Sequence, residues 1–356
     1  MIAANTAVFR KLVEFVQLEQ VVPTAHIIRF IRTTAEEKNW LQHVQITEKA
    51  TIMAGFRANR MRFGEDDYLV FVGRTTIGEV PEWLVQIELN AGLATALIDE
   101  LDLTIPKHHS SYEIAQHVLA LHKEVEGYIG HAMEDVMPFF DPLLIFRVEK
   151  SLPFSFDLYR VSAVCVASGR DLLFLPFDEA YLNELREILL EGPTCIPFEG
   201  LLHSLTAVHW KYAFLDLYRG VERLFSMARI GELHKALGQP VPLLDLSASL
   251  EEHIGWRPKE DDALERLFEG IPESDIEPLR NLKERAGSTA GSMSAWLYSL
   301  RNRVVHYRPA HEGIGFDDSD WNLLLLVTLR VVLHAYKKYA PQLEPPLPPP
   351  IQDAGG

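Results

Sequence analysis

Cysteine is nearly missing from this chain of 356 residues, where only Cys165 and Cys195 occur. Two thiols cannot build a disulfide framework or a four-thiolate metal site, so a reduced, cytoplasmic protein is expected. Long apolar runs are missing too, and about eighteen consecutive residues would be needed for a membrane span. The start, Met1-Ile2-Ala3-Ala4-Asn5, has no basic stretch before an apolar core, so no secretory leader is expected. Positive charge is scarce: the net charge of −16 excludes a protein that coats polyanions by general electrostatics. No glycine-rich phosphate loop, no Gly-x-Ser-x-Gly elbow and no His-Glu-x-x-His helix is present. No internal repeat is found.

The remaining composition, 47% hydrophobic and 24% charged, is that of ordinary globular material with length for two domains. Residues 5–20 carry Val8, Phe9, Leu12, Val13 and Val16 at helical spacing, with Lys11, Glu14 and Gln17 outward. A second helix is expected over 26–43 and another over 111–132. Apolar runs at 68–73, 83–87, 143–148 and 161–166 read as strands. Asp171–Leu175 would pair with the last of these through Ser168-Gly169-Arg170, and Cys165 would be a buried strand residue. From Asp178 onward the sheet signal stops, and helices are expected over 179–191, 205–237, 247–255, 261–269, 275–286, 292–308 and 318–339. The fold class is therefore α+β: a mixed domain over 1–198, an all-α bundle over 199–341, and a proline-rich tail over 342–356. The domain boundary is placed at Pro197–Glu199. The tail, Pro341 to Pro350 above all, is expected to be extended, either inert or a ligand for a proline-reading groove.

One segment of the helical half concentrates chemistry. Ser292 to Leu300 runs without Gly or Pro into Arg301-Asn302-Arg303-Val304-Val305-His306, and Pro309 disfavours helix at Arg308. On one helix Asn302 and His306 share a face, Arg301 lies one position away, and Leu297, Leu300 and Val304 form an apolar anchoring stripe. Residues 301–311 hold Arg301, Arg303, Arg308, His306 and His311 and no acid, a small basic site on an acidic body. Arginine keeps its charge and its planar fork fits phosphate oxygens. Histidine exchanges protons near neutrality. The bland explanation is that Arg and His favour a helix C-terminus through the backbone dipole.

Arg301, Asn302 and His306 resemble the Arg-polar-x(3–5)-His motif of the HEPN family. The flanks extend the resemblance: Ala213 to Phe225 is similar to the family's early long helix, with Glu222 at its buried acidic position, and Asp317 to Tyr339 is similar to the closing helix. It covers roughly residues 200–340 and says nothing of residues 1–195. The resemblance implies an endoribonuclease, with Arg301, Asn302 and His306 catalytic and Glu222 supporting them; Arg303, Tyr307 and Arg308 are candidates to contact RNA, with Arg303 and Arg308 reading equally as solvated helix charges. It also implies a homodimer whose two motifs share one cleft, and a toxin or anti-phage stress effector with a regulator or antitoxin partner. The alternative is a non-catalytic HEPN-like module for dimerisation or nucleotide binding.

The residues themselves suit that chemistry. The motif contains no nucleophile and no metal-ligand set, which points to RNA, whose own 2′-hydroxyl can attack the adjacent phosphate. His306 would move the proton, Arg301 would neutralise charge on the phosphorane oxygens, and Asn302 would orient the histidine or the phosphate. One histidine is poorly suited to act as acid and base together, so a second copy is expected. No metal and no cofactor is called for.

Elsewhere, His108, His109, His117, His122 and His131 invite a metal reading, and Glu113 and His117 are four apart on a helix. With no His-Glu-x-x-His signature, a solvated helix face explains them better. Glu65-Asp66-Asp67 and Asp261-Asp262 read as loop and helix-start charges, and Asp317-Asp318-Ser319-Asp320 as a cap of the last helix. Trp296 and Tyr298 read as the core and surface sides of one helix.

Overall fold

A computed structural model describes residues 2–18, 29–120, 128–238, 242–306 and 314–343. The chain forms two compact units, one of Met1–Leu152 with Phe156–Leu158, the other of Pro153–Ser155 with Tyr159–Gly356. An antiparallel sheet with helices is followed by an almost wholly helical region, so the chain is α+β. Among the described residues no helix is long and apolar enough to cross a membrane.

The first unit begins with α1 (Ile2–Leu18), where Val8, Phe9, Leu12 and Val16 are buried as their spacing requires. Helix α2 (Ala35–His43) starts later than expected because Thr34 caps it: its hydroxyl accepts from the Glu37 N–H while Glu37 reaches back to the Thr34 N–H. Five strands follow, in the order β1-β2-β3-β5-β4, all neighbours antiparallel. They are β1 (Gln45–Met53), β2 (Phe56–Phe63), β3 (Asp66–Val72), β4 (Leu84–Gln86) and β5 (Leu143–Val148). The last three occupy the apolar runs at 68–73, 83–87 and 143–148. Gly73 is required beside the first turn, since a Cβ there would lie 1.8 Å from the Gly55 carbonyl oxygen.

Helix α3 (Ala91–Glu100) packs its small residues against α1 and α2. A Cβ on Gly92 would meet the Glu37 carbonyl oxygen at 1.8 Å, so glycine permits that approach. Only part of the helix expected over 111–132 forms. Helix α4 (Ser111–Ile114) widens into π-helical turns over Ala115–Ala120, residues 121–127 lie outside the described residues, and His131 makes a parallel bridge with Ile31. A further turn, α5 (Met133–Val136), precedes β5. Val8, Leu12, Met61, Val70, Leu93, Leu97 and Ile145 belong to one buried cluster between sheet and helices.

In the second unit the run Val161–Val166 is helical, a correction to the strand reading. It lies within α6 (Leu158–Ser168), and Asp171–Leu175 forms no hairpin strand but a 3₁₀ turn at Arg170–Leu172. Val161, Ser162, Ala163, Cys165, Val166 and Ala167 are all almost fully buried, and a segment buried on every side loses the periodicity that tells helix from strand. Burial pushes the Cys165 thiol up to about 12, so it stays protonated.

Next come α7 (Glu179–Glu191), α8 (Phe198–Leu205), α9 (Trp210–Glu222), α10 (Met227–Leu237), α11 (Leu243–Ile254) and α12 (Glu260–Phe268). They are followed by α13 (Glu273–Ile276), α14 (Pro278–Arg285), α15 (Met293–Val305) and α16 (Asp318–Leu343). The stretch 205–237 breaks twice: Thr206 and His209 terminate and restart the helix around Ala207-Val208, and turns at Arg223–Ser226 separate α9 from α10. Helix α16 is central: Leu324, Leu325, Val327, Val331 and Val332 are buried, and it packs on α7, α9 and α14. It also continues through Pro341 to Leu343, beyond the expected stop at the prolines; residues 344–356 lie outside the described residues.

The division between units falls at residues 152–159 rather than at Pro197–Glu199. Helix α7 belongs with α16: Arg330 Nε is 3.0 Å from Glu184 Oε2, and Asn322 Oδ1 accepts the Asp178 N–H at 2.9 Å. These long-range partners have no local signature.

Candidate functional site

Helix α15 is positioned by both of its ends. Ser292 caps it by accepting the Ala295 N–H at 3.1 Å. Trp296, Leu297 and Leu300 are buried, and the helix packs against α9, α12 and α14. The anchoring stripe thus forms, with Val304 only half-buried at its end.

The helix ends at Val305, earlier than the expected 308. His306 has left helical backbone at φ −104°, ψ 96°, although its N–H still donates to the Asn302 carbonyl at 2.8 Å. The imidazole is exposed. Tyr307 and Arg308 lie outside the described residues, as does His311.

Arg301, Asn302, Arg303 and His306 line one cleft of about 590 Å³, together with Tyr298 and Ser299. The Arg301 side chain is only 19% exposed, and its Nη2 lies 2.5 Å from Glu222 Oε1. Nη1 donates to Asn302 Oδ1 at 3.0 Å and faces Glu260 Oε2 at 3.9 Å. Glu222 comes from the C-terminal end of α9 and Glu260 from the start of α12, so three helices converge on one guanidinium. A guanidinium has five N–H donors; Glu222 and Asn302 occupy the two terminal nitrogens on one side each, which aims the fork while it walls the cleft.

Two residues of this cluster were not singled out from sequence as site residues. Glu260 directly precedes Asp261-Asp262, which the sequence marks as helix-start charges, and has no signal of its own. Tyr218, one turn before Glu222 on α9, places its ring centroid 6.0 Å from Arg301 Cζ. Burial, and then the nearby Glu222 charge, raise its phenol far above the ordinary tyrosine range, so it is a neutral wall under the arginine. The i, i+4 relation of Tyr218 to Glu222 was a usable signal; that Glu260 would approach from another helix was not. Arg303 also lines a neighbouring cavity of about 250 Å³ with Arg285 and Asp320, which form an ion pair.

His122 lies outside the described residues, and the described histidines of the first unit do not gather into a site. His117 Nδ1 donates to the Glu113 backbone carbonyl at 3.0 Å, and the His108 and His109 rings lie tilted to each other with centroids 4.2 Å apart. Among the described residues no group of three His, Cys, Asp or Glu side chains has a metal-binding arrangement.

No protein-family model matches the chain, and neither a curated protein nor a solved structure matches it.

Proposed function

We propose that the second unit is a metal-independent endoribonuclease domain of HEPN type, with Arg301, Asn302 and His306 as its reacting set. The observation that carries this reading is the shared cleft, which puts a fixed cation, an amide and an exposed imidazole around a space of about 590 Å³. RNA supplies the nucleophile. His306 removes the 2′-hydroxyl proton, the 2′-oxygen bonds to phosphorus, and the 5′-oxygen leaves with a proton from His306 of a second copy. The products are a 2′,3′-cyclic phosphate and a 5′-hydroxyl. Arg301, aimed by Glu222, meets charge on the non-bridging oxygens. Asn302 holds Arg301 and caps the approach to His306. Arg303 adds positive charge at the rim.

The same reading makes the protein a homodimer through its helical half, a toxin or stress effector whose first unit senses or restrains it, with a regulator as partner. Incubating the chain with single-stranded RNA in EDTA tests the chemistry. Cyclic phosphate ends are expected, and His306→Ala should lower the rate about 10²- to 10⁴-fold with the fold intact. Strict dependence on magnesium, or cleavage undiminished in His306→Ala, refutes the reading.

A second reading rests on the Arg301–Glu222 pair, which partly neutralises the cation. In it the cleft holds a nucleotide without cleaving it, as in a non-catalytic HEPN-like module. Unchanged nucleotide binding by His306→Ala, with no RNA cleavage by the unaltered chain, would favour it.

A further inference from the structure

Arg301 and Glu260 wall two cavities. Beyond the motif cleft they also line a second one, of about 340 Å³, between the end of α9 and the α11–α12 connection. Its described lining includes Trp256, Arg223, Ser226 and Ser247, together with Arg257 beside Glu251 and the Glu222 that pairs with Arg301. The volume falls in the range of small-molecule sites, about 300–1,000 Å³.

The backbone of Trp256 is fixed by the end of the preceding helix. Helix α11 ends on Gly255 in the left-handed region at φ +61°, and the Trp256 N–H returns to the Leu250 carbonyl at 3.1 Å. This is the closure that glycine allows at a helix end. Pro258 then stiffens the connection into α12. Arg257 is fixed in turn, with Nε 3.0 Å and Nη2 2.9 Å from Glu251 Oε1. Trp256 stays half-buried while Arg223 and Arg257 are exposed. A half-buried aromatic ring beside guanidinium groups and two hydroxyls can take an unpaired base with its phosphate, the neighbouring carboxylates orienting Arg257 and Arg301.

We propose that Trp256 forms a base-stacking subsite for single-stranded RNA, holding the base next to the phosphate at Arg301 and thereby selecting the cleavage position. This rests on the ribonuclease reading of the adjoining cleft. Double-stranded RNA does not fit the subsite, because its bases are already stacked on each other.

The test uses the full-length His306→Ala protein and a short single-stranded RNA of mixed sequence. Titration should quench tryptophan fluorescence, and the quenching should be largely lost in Trp256→Phe, which separates Trp256 from the other tryptophans. Trp256→Ala should weaken binding about five- to a hundredfold and Trp256→Phe far less, with circular dichroism unchanged. Equal affinity of Trp256→Ala, or equal affinity for double-stranded RNA, overturns the subsite. If the unaltered chain cleaves RNA and Trp256→Ala cleaves it at the same positions and rate, the subsite falls and the nuclease reading stands. Quenching without any cleavage by the unaltered chain keeps the subsite and overturns the nuclease. Absence of binding overturns both.

Discussion

Two arginines, each beside a pair of carboxylates, have opposite surroundings. In the sheet of the first unit Arg60 binds Asp67 with both prongs of its fork, Nε to Oδ1 at 2.9 Å and Nη2 to Oδ2 at 2.8 Å. Its third nitrogen reaches Glu48 at 2.8 Å, and the Phe156 ring lies 4.3 Å from Cζ. The carboxylate partners sit on β1 and β3, either side of Arg60 on β2, and the guanidinium is held well above its ordinary pKa, chiefly by the hydrogen bonds to Asp67. In the second unit Arg301 has one close carboxylate, one at 3.9 Å and an amide, and a cavity on each of two sides. Partners on all three of its nitrogens make Arg60 a strand clamp. Arg301 is oriented but not saturated, which is what a group needs if it is to meet an incoming anion.

Substitutions that exchange these behaviours would break the contrast. Arg301→Ala has the largest expected effect, about 10²- to 10³-fold on RNA cleavage, measured as a single-turnover rate per folded molecule, with some loss of denaturant stability because the partly buried Glu222 loses its partner. Arg60→Ala should preserve cleavage per folded molecule while costing about 1–3 kcal/mol in urea unfolding, because the partly buried Asp67 loses its bidentate partner and retains Arg62 alone of the pair. Loss of cleavage on Arg60→Ala together with indifference to Arg301→Ala would invert the assignment.

The carboxylate partners sharpen the comparison. Hydrogen bonds from Arg60, then Arg62, hold the Asp67 carboxyl below its usual range. A depressed carboxyl contributes stability that is complete above its unfolded value, near pH 4, and is lost as pH falls through the lower folded value. Asp67→Asn should therefore flatten the stability loss of the first unit in acid, followed by circular dichroism. Glu222→Gln, which leaves the shape and removes the charge, should slow cleavage about tenfold by loosening Arg301. The smallest change belongs to Glu260→Gln: at 3.9 Å and partly exposed, its pair is worth about 0–1 kcal/mol, so RNA affinity should rise a few-fold at most.

How much of this was legible varied with burial. Half-buried elements announced themselves: α1, α7, α15 and the strands β3 and β5 lie close to where their patterns put them. Strands β1 and β2 did not, because Glu48, Lys49, Arg57, Arg60 and Arg62 make them look solvated until cross-strand partners are known. Helix α6 failed for the opposite reason, being apolar on all sides. The site divided in the same way. Arg301, Asn302 and His306 are local neighbours whose approach follows from helical spacing, whereas Glu260, Tyr218 and Trp256 join them only through the packing of α9, α11 and α12 on α15.

Residue order alone settled that a cation, an amide and an imidazole would gather near one helix end, since 3.6 residues per turn leave little freedom over six positions. Tertiary structure decided the rest. Which carboxylates steady the arginine, where the helix releases His306, and which cavities open beside the guanidinium all depend on side chains from helices far apart in the chain. Their meeting is governed by core packing, to which no local spacing is sensitive.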